Sequence, residues 1–401
     1  MTQPDPTIKP VRLGMIGLGA ATVPVLRVMA RSPLIKLVAA ADLRPQSLAA
    51  FSEQFGGNTY ARVEDLCADP EVEAVWIATP NQFHCPHAVM AAKAGKHVFV
   101  EKPMALSVEE AQQMVDAAEA NGVQLMCGRT AATRPPMAAL TSLVASGQLG
   151  KMRAVNAFAY TNWMFRPRMP QEVSLATGGG IVFRQLPHQV DVVRVLGGGM
   201  LRSVRAQTGD WFKARGVPGY AAVFLEFEDG TPSLLAYNGY GYFTAWDILP
   251  WAGEGPYDEL GTRIRRQLRE TGSSPEEGEA KESARFGGAP PSQPATRPPT
   301  SSAYQGDVGV IVVSCDLGDI RQSPKGLYVY DDGGRREVEV SNEQADGATD
   351  LEEIYGALRL GKQPVHDGRW GLATLEVVMA VMQSARERRE IMLQHQCPVR
   401  G

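Results

Sequence analysis

Residues His97 to Pro103 read His-Val-Phe-Val-Glu-Lys-Pro, a short apolar run that ends in an acid, an amine and a proline. A buried strand that carries Glu101 and Lys102 to the carboxyl edge of a parallel sheet sets them where ligands of open α/β sheets bind. Proline ends the strand and fixes the turn, so the Lys102 ammonium is held at the mouth of the crevice. There it can hydrogen-bond a substrate hydroxyl, and partial desolvation lets it change protonation state. A lone lysine at a strand end is ordinarily a solvated charge whose stem snorkels to water. The residues that accompany Lys102 set it apart.

Gly17-Leu18-Gly19-Ala20-Ala21-Thr22 stands where a first strand gives way to a first helix. Gly17 permits the tight turn, and Gly19 lets backbone amides approach a pyrophosphate at the helix N-terminus. The third glycine position holds Thr22, a departure from the pattern. Asp42 closes the next strand, where a carboxylate bonds ribose hydroxyls and repels a 2′-phosphate. NAD is favoured on that count, while Arg44, two residues on, keeps NADP possible. Ala78-Thr79-Pro80-Asn81 ends a further central strand with His84 beginning the next helix, a small and polar edge past which a nicotinamide could lie. His84, Cys85 and His87 superficially suggest a metal site, but a helix start points them apart and no fourth ligand is near, so no metal is expected.

These residues need elements to position them. Strand-like and helix-like segments alternate from Val11 to Cys127, the grammar of a parallel, doubly wound sheet. After about residue 130 the pattern changes to α+β with a largely antiparallel sheet, including strands at Met152–Trp163, Leu201–Trp211, Ala221–Glu228 and Ser233–Tyr242. Asp229-Gly230 reads as a hairpin turn. A helix is expected over Gln185–Leu196 and a long final one over Gly371–Glu390. The division is 8–130 for the first domain and 131–401 for the second, with an insertion at about 253–306. Within it, charged helices are expected over Asp258–Glu270 and Pro275–Arg285, then a Gly/Pro/Ser/Thr-rich linker over Phe286–Ser302.

At 401 residues, 44% apolar and 21% charged, the chain has the composition of a soluble two-domain protein. A net charge of −4 gives no electrostatic footprint for nucleic acid or an anionic membrane. No apolar run approaches a membrane span, and five scattered cysteines fit a reduced compartment, so cytoplasmic residence is expected.

Gly17-x-Gly19, Asp42, Ala78 to His84 and Glu101-Lys102-Pro103 occur in an order that resembles the glucose–fructose oxidoreductase / inositol dehydrogenase (Gfo/Idh/MocA) family. The likeness continues through Gly178-Gly179-Gly180, His188, Asp191 and the segment from Asp367 to Glu376. It implies an α/β architecture: an N-terminal Rossmann domain, then a C-terminal α+β domain with a large, mostly antiparallel open sheet that commonly forms an oligomer interface. A homodimer or homotetramer is the corresponding expectation. The resemblance also implies that Lys102 and His188 face the nicotinamide, and that the Lys102–Pro103 peptide is cis.

One departure bears on the substrate. The family usually places an aspartate four residues before the histidine, and this chain has Arg184. Guanidinium grips carboxylate in a two-pronged fashion, which makes the pocket a receptor for anions. Arg166 and Arg168 could add cations, or could be solvated loop charges. Aromatic walls are expected from Trp163, Phe165, Tyr240 and Tyr242. Within the family these segments are most similar to phthalate 4,5-cis-dihydrodiol dehydrogenases. The expected reaction is NAD(P)-dependent oxidation of a carboxylated aromatic cis-dihydrodiol to the catechol, with a small anionic substrate as the partner. His188 would act as base and Lys102 would steady the developing alkoxide; Asp191 is given a structural role, orienting its helix or pairing with Arg194. The alternatives are a sugar or cyclitol dehydrogenase of the same family, an NAD-dependent glycosidase, or a non-catalytic dinucleotide-binding regulator.

Overall fold

The structure is a computed structural model that describes residues 9–128, 131–249, 259–288, 308–341 and 348–400. The first sheet is built from β1 (Val11–Ile16), β2 (Ile35–Ala41), β3 (Asn58–Tyr60), β4 (Ala74–Ile77), β5 (His97–Glu101) and β6 (Leu125–Gly128). They pair in the order β3-β2-β1-β4-β5-β6, every pairing parallel. Buried almost continuously, β1, β4 and β5 carry Val, Leu, Ile and aromatic side chains on both faces, as a sheet covered on both sides requires. The crossover helices are α1 (Thr22–Met29), α2 (Pro45–Phe55), α3 (Val63–Ala68), α4 (His84–Lys93) and α5 (Val108–Ala120).

The second half contains α6 (Pro135–Ala145), β7 (Met152–Tyr160), α7 (Ile181–Arg184), α8 (Leu186–Leu196), β8 (Leu201–Gly209), β9 (Tyr220–Phe227) and β10 (Pro232–Asn238). Then come α9 (Glu259–Thr271), α10 (Glu276–Ser283), β11 (Val310–Cys315), β12 (Gly318–Gln322), β13 (Gly326–Asp331) and β14 (Gly334–Glu339). The chain closes with α11 (Ala348–Arg359), α12 (Gly368–Glu387) and β15 (Ile391–Met392). Among the described residues nine strands form one sheet in the order β14-β13-β12-β11-β7-β10-β9-β8-β15, antiparallel except where β10 lies parallel to β7. Both charged helices of the insertion form; its expected linker lies, from residue 289 on, outside the described residues. Among the described residues no helix is long and apolar enough to cross a membrane.

The chain's end departs from the expected boundary at residue 130. Leu351 and Ile354 of α11 pack into the core on one face of the first sheet, beside Val11, Leu13 and Met126. α12 joins two cores, with Leu372 and Leu375 in the first domain's and Val377, Val378 and Val381 in the second's. Burial of an apolar stripe drives this return, because helix and sheet each leave one face uncovered without it. Asp367 caps α12 by accepting the Trp370 N–H at 2.8 Å. Two glycines let the helix lie directly on β6: a Cβ on Gly368 would meet Leu125 at 2.7 Å, and one on Gly371 would meet Cys127 at 2.7 Å.

Gly371→Ala should therefore push α12 off β6 and lower stability by about 1–3 kcal/mol. Thermal denaturation beside the unaltered protein measures this, and an unchanged Tm would show that Cys127 and Met104 give way freely.

Candidate active site

The glycine turn after β1 is shaped by close packing on one side and openness on the other. Gly17 has φ +91°, and a Cβ there would strike the Ala78 carbonyl oxygen at 2.9 Å, so the turn requires glycine. A Cβ on Gly19 would meet nothing within 4 Å, and Ala20 and Ala21 are accessible at the start of α1. This open cradle at a helix N-terminus fits a dinucleotide's pyrophosphate. Asp42 braces it, Oδ2 accepting the Leu18 N–H at 2.7 Å and Oδ1 the Arg44 N–H at 2.8 Å. The Arg44 guanidinium returns to donate to the Leu18 carbonyl at 2.8 Å and pairs with Asp42 at 3.3 Å.

Two members of the glycine segment do not serve as expected. Leu18 is fully buried, with its N–H and carbonyl taken by Asp42 and Arg44. Thr22 is also fully buried and spends both its hydroxyl and its N–H on the Gly19 carbonyl. Each holds the loop's shape and leaves the approach to Gly19, Ala20 and Ala21.

A similar correction applies beyond β4. His84 is 1% exposed, with Nδ1 2.9 Å from the Pro103 carbonyl and Nε2 2.9 Å from the Thr79 carbonyl. It ties the Thr79 turn to the Lys102–Pro103 turn and has no surface left for a cofactor or metal. Burial pulls its pKa below the usual imidazole range despite both carbonyls. Asn81 is likewise buried, its amide donating to the carbonyls of Thr177 and Gly178 and so joining the first domain to the glycine loop of the second. Thr79 and Pro80 stay accessible at the edge.

Lys102 sits at the junction of the domains. Its peptide bond to Pro103 is cis, and its N–H donates to the Gly128 carbonyl at 2.6 Å. Its ammonium donates to the Arg184 carbonyl at 2.8 Å. Glu101, just before it, is buried. Lys102 and His188 line one cavity, together with Cys127, Asp191, Trp370 and Gly371. The structure thus brings the two expected catalytic side chains to a common space, one from each domain.

Arg184 and His188 do not share a continuous helix. Gln185, at φ −122° and ψ −45°, separates α7 from α8, with Pro187 in the first turn of the second. The Arg184 side chain instead reaches Glu172, a 7% exposed residue absent from the sequence-derived site. Glu172 Oε1 lies 2.9 Å from Lys281, 3.5 Å from Arg168 and 3.7 Å from Arg184. Burial pushes this carboxyl up, and Lys281, Arg168 and Arg184 more than cancel that and hold it below the ordinary range. Three cations share one carboxylate, and the buried Arg184 Nε has no hydrogen-bond partner among the described residues. Glu172 and Lys281 escaped the sequence reading because they lie 109 residues apart with no motif between them.

The other expected substrate contacts scatter. The Arg168 side chain, 8% exposed, stacks 3.7 Å above the buried Trp163 ring, donates to the Trp163 carbonyl and pairs with Glu172, so Trp163 and Arg168 are both engaged within the protein. Arg166 is exposed and donates to Asn162 at 3.0 Å, as a solvated loop charge would. Tyr240 donates to the Val217 carbonyl and lines a second hollow with Phe165, Trp211, Phe212, Tyr242 and Arg269, which shares no residue with the Lys102 cavity.

Beneath that cavity lies a buried charge chain. Asp191 accepts the Trp370 indole N–H at 2.7 Å and stands 3.5 Å from His366 Nε2, while His366 Nδ1 is 2.9 Å from Glu353. Burial opposes charge on His366, but Glu353 and Asp191 outweigh it and hold the imidazole pKa well above its ordinary value. Arg194, an expected partner of Asp191, gives its donors to the Trp370 carbonyl, Thr374 and Gln396.

Residues 11–129 match the model of an oxidoreductase family with an NAD-binding Rossmann fold, and residues 137–243 match the GFO/IDH/MocA C-terminal domain. A 1-carboxy-3-chloro-3,4-dihydroxycyclohexa-1,5-diene dehydrogenase of Comamonas testosteroni is 30% identical over 94% of this chain and 95% of its own. The chain belongs to the Gfo/Idh/MocA oxidoreductase family. A solved structure from Bordetella bronchiseptica RB50 shares 33% identity, 96% of this chain and 100% of its own, with a TM-score of 0.85. The WlbA dehydrogenase of Bordetella pertussis, solved with NADH and UDP-GlcNAcA, shares the fold with a TM-score of 0.69 at 19% identity, over 96% of this chain and 99% of its own. As a Gfo/Idh/MocA oxidoreductase, this protein carries an NAD-binding Rossmann domain, and the accessible Gly19–Ala21 turn is the part of it suited to the pyrophosphate.

The charge chain sets a pH dependence. Because the folded pKa of His366 is raised, its contribution is complete below the unfolded value near 6.5 and is lost as pH rises through the folded value. His366→Gln should destabilise by about 3 kcal/mol at pH 6 by leaving two buried carboxylates facing each other. The gap in Tm between the two proteins should then narrow as pH rises from 6 to 9. A gap constant across that range would show that His366 is neutral in the fold.

Proposed function

We propose that this protein is an NAD-dependent dehydrogenase that oxidises a carboxylated cis-dihydrodiol of the phthalate 4,5-cis-dihydrodiol type to the catechol. The observation that carries this reading is the excess of positive charge at Arg184, where three cations share Glu172 and one guanidinium nitrogen has no partner among the described residues. A pocket built to read neutral hydroxyls would present carboxylates and amides instead. The name of the Comamonas testosteroni relative supports the class, since it describes a carboxylated cyclic diene diol.

The Arg184 guanidinium grips the substrate carboxylate and fixes the ring. Because the Lys102 ammonium donates to the Arg184 backbone carbonyl, the residue that holds the carboxylate and the group that meets the reacting hydroxyl are fixed to each other. His188, lining the same cavity, takes the hydroxyl proton, and Lys102 stabilises the developing alkoxide. The nicotinamide, when bound, supplies the hydride acceptor. The resulting hydroxy-dienone tautomerises to the catechol, and aromatisation makes the overall oxidation downhill. The Asp42 carboxylate favours NAD over NADP, and Arg44 is engaged with Asp42 and Leu18. Self-association is part of the proposal: Phe224 and Leu234, paired on β9 and β10, are 44% and 42% exposed on the open sheet.

Absorbance of NADH, with NAD and the 4,5-cis-dihydrodiol of phthalate, tests the reading. Lys102→Ala should lower kcat by about 10²–10⁴-fold. Arg184→Ala should raise KM for the diol by about 10–100-fold with a smaller change in kcat. Turnover confined to uncharged sugars or cyclitols would overturn the substrate class, and NAD binding without any reduction would point to a regulator.

A further inference from the structure

The insertion reaches into this site. α10 is anchored by Glu277, which takes both ends of the buried Arg215 fork at 2.6 and 2.9 Å and also accepts the Arg168 N–H at 3.2 Å. Just beyond α10, the Phe286 carbonyl accepts the Ser47 hydroxyl at 2.9 Å and the Phe286 ring stacks on Phe55, so the described part of the arm also rests on α2 of the first domain. Between these anchors Lys281 delivers its ammonium to Glu172 Oε1 at 2.9 Å, closer than either arginine. The remaining oxygen, Oε2, accepts the Met169 N–H at 2.8 Å.

This arrangement decides what Arg184 is free to do. A carboxylate and a guanidinium close together form a bidentate pair when nothing competes, and such a pair is stronger than one long contact. Here Arg184 lies 3.7 Å from Glu172 and its Nε has no partner among the described residues, while Lys281 at 2.9 Å, ahead of Arg168 at 3.5 Å, holds the oxygen it would take. An internal carboxylate released beside Arg184 would compete with an external one at high effective concentration. We infer that Lys281 is a positioning residue: by holding Glu172, it keeps Arg184 open for the substrate carboxylate. This rests on the reading of Arg184 as the substrate's anion receptor. The insertion is accordingly a specificity element whose helix brings one cation to a site built by other segments.

The test compares steady-state kinetics on the phthalate diol for Lys281→Met, Lys281→Arg and the double variant Lys281→Met/Glu172→Gln, beside Arg184→Ala. Lys281→Met should raise KM about tenfold with kcat changed less than twofold, because Glu172 then closes on Arg184. Lys281→Arg should keep KM within about threefold of the unaltered enzyme. In the double variant KM should return to that range, since no internal carboxylate remains to capture Arg184; a merely structural lysine would give no such rescue. An unchanged KM in Lys281→Met, or a raised KM that Glu172→Gln fails to restore, overturns the inference alone. If Arg184→Ala itself leaves KM unchanged, the anion-receptor reading fails and takes this inference with it.

Discussion

The structure depends on one packing constraint: α12 must lie flat on β6 while burying its other face in the second domain. Gly368 and Gly371 permit the approach, and Leu372, Leu375, Val377, Val378 and Val381 divide between two cores. Dense interiors transmit such constraints because they have no slack to absorb a displaced helix. Lys102 belongs to one domain and His188 to the other, and this helix, with the Asn81 and Lys102 hydrogen bonds across the seam, fixes the two sheets around their shared cavity. Trp370, on the same helix, reaches Asp191 one turn beyond His188 and carries the constraint to the floor of the cavity.

Around that seam the protein arranges buried charge in two opposite stoichiometries. His366 is one cation between two carboxylates, Asp191 and Glu353. Glu172 is one carboxylate among three cations. Buried ions are costly unless compensated, so each cluster must satisfy most of its charge internally. The first closes on itself and serves the fold. The second leaves positive charge over at Arg184, whose backbone carbonyl holds Lys102, and that excess is what the proposed anion-receptor role rests on.

Legibility followed the range of the interaction. The alternation of apolar runs and amphipathic segments predicts most strands and helices, because local burial dictates them. Asn58–Tyr60 escapes that reading, being a three-residue polar edge strand, and so does Gly318–Gln322, whose charges interrupt any apolar run. That Lys102 follows a strand end and His188 lies in the first turn of a helix was legible, because strand-end and helix-start positions are local. The roles of His84, Thr22, Arg168 and Tyr240 were not. Each carries a side chain that could bind a ligand, and each spends it on a carbonyl or ring of the protein itself. Residue type announces capacity, and only packing shows whether that capacity is already used.

By itself the sequence determined the doubly wound first domain, the antiparallel second, the glycine cradle with Asp42, and the lysine at the strand end. Periodicity, turn chemistry and strand edges are properties of neighbouring residues, and neighbours are what a sequence displays. Tertiary structure alone decided that α11 and α12 return to the first domain, that His366 lies between Asp191 and Glu353, and that Lys281 meets Glu172 across 109 residues of chain. Electrostatic partnership depends on distance through the folded interior, and the chain's order carries no record of that distance until the core has closed.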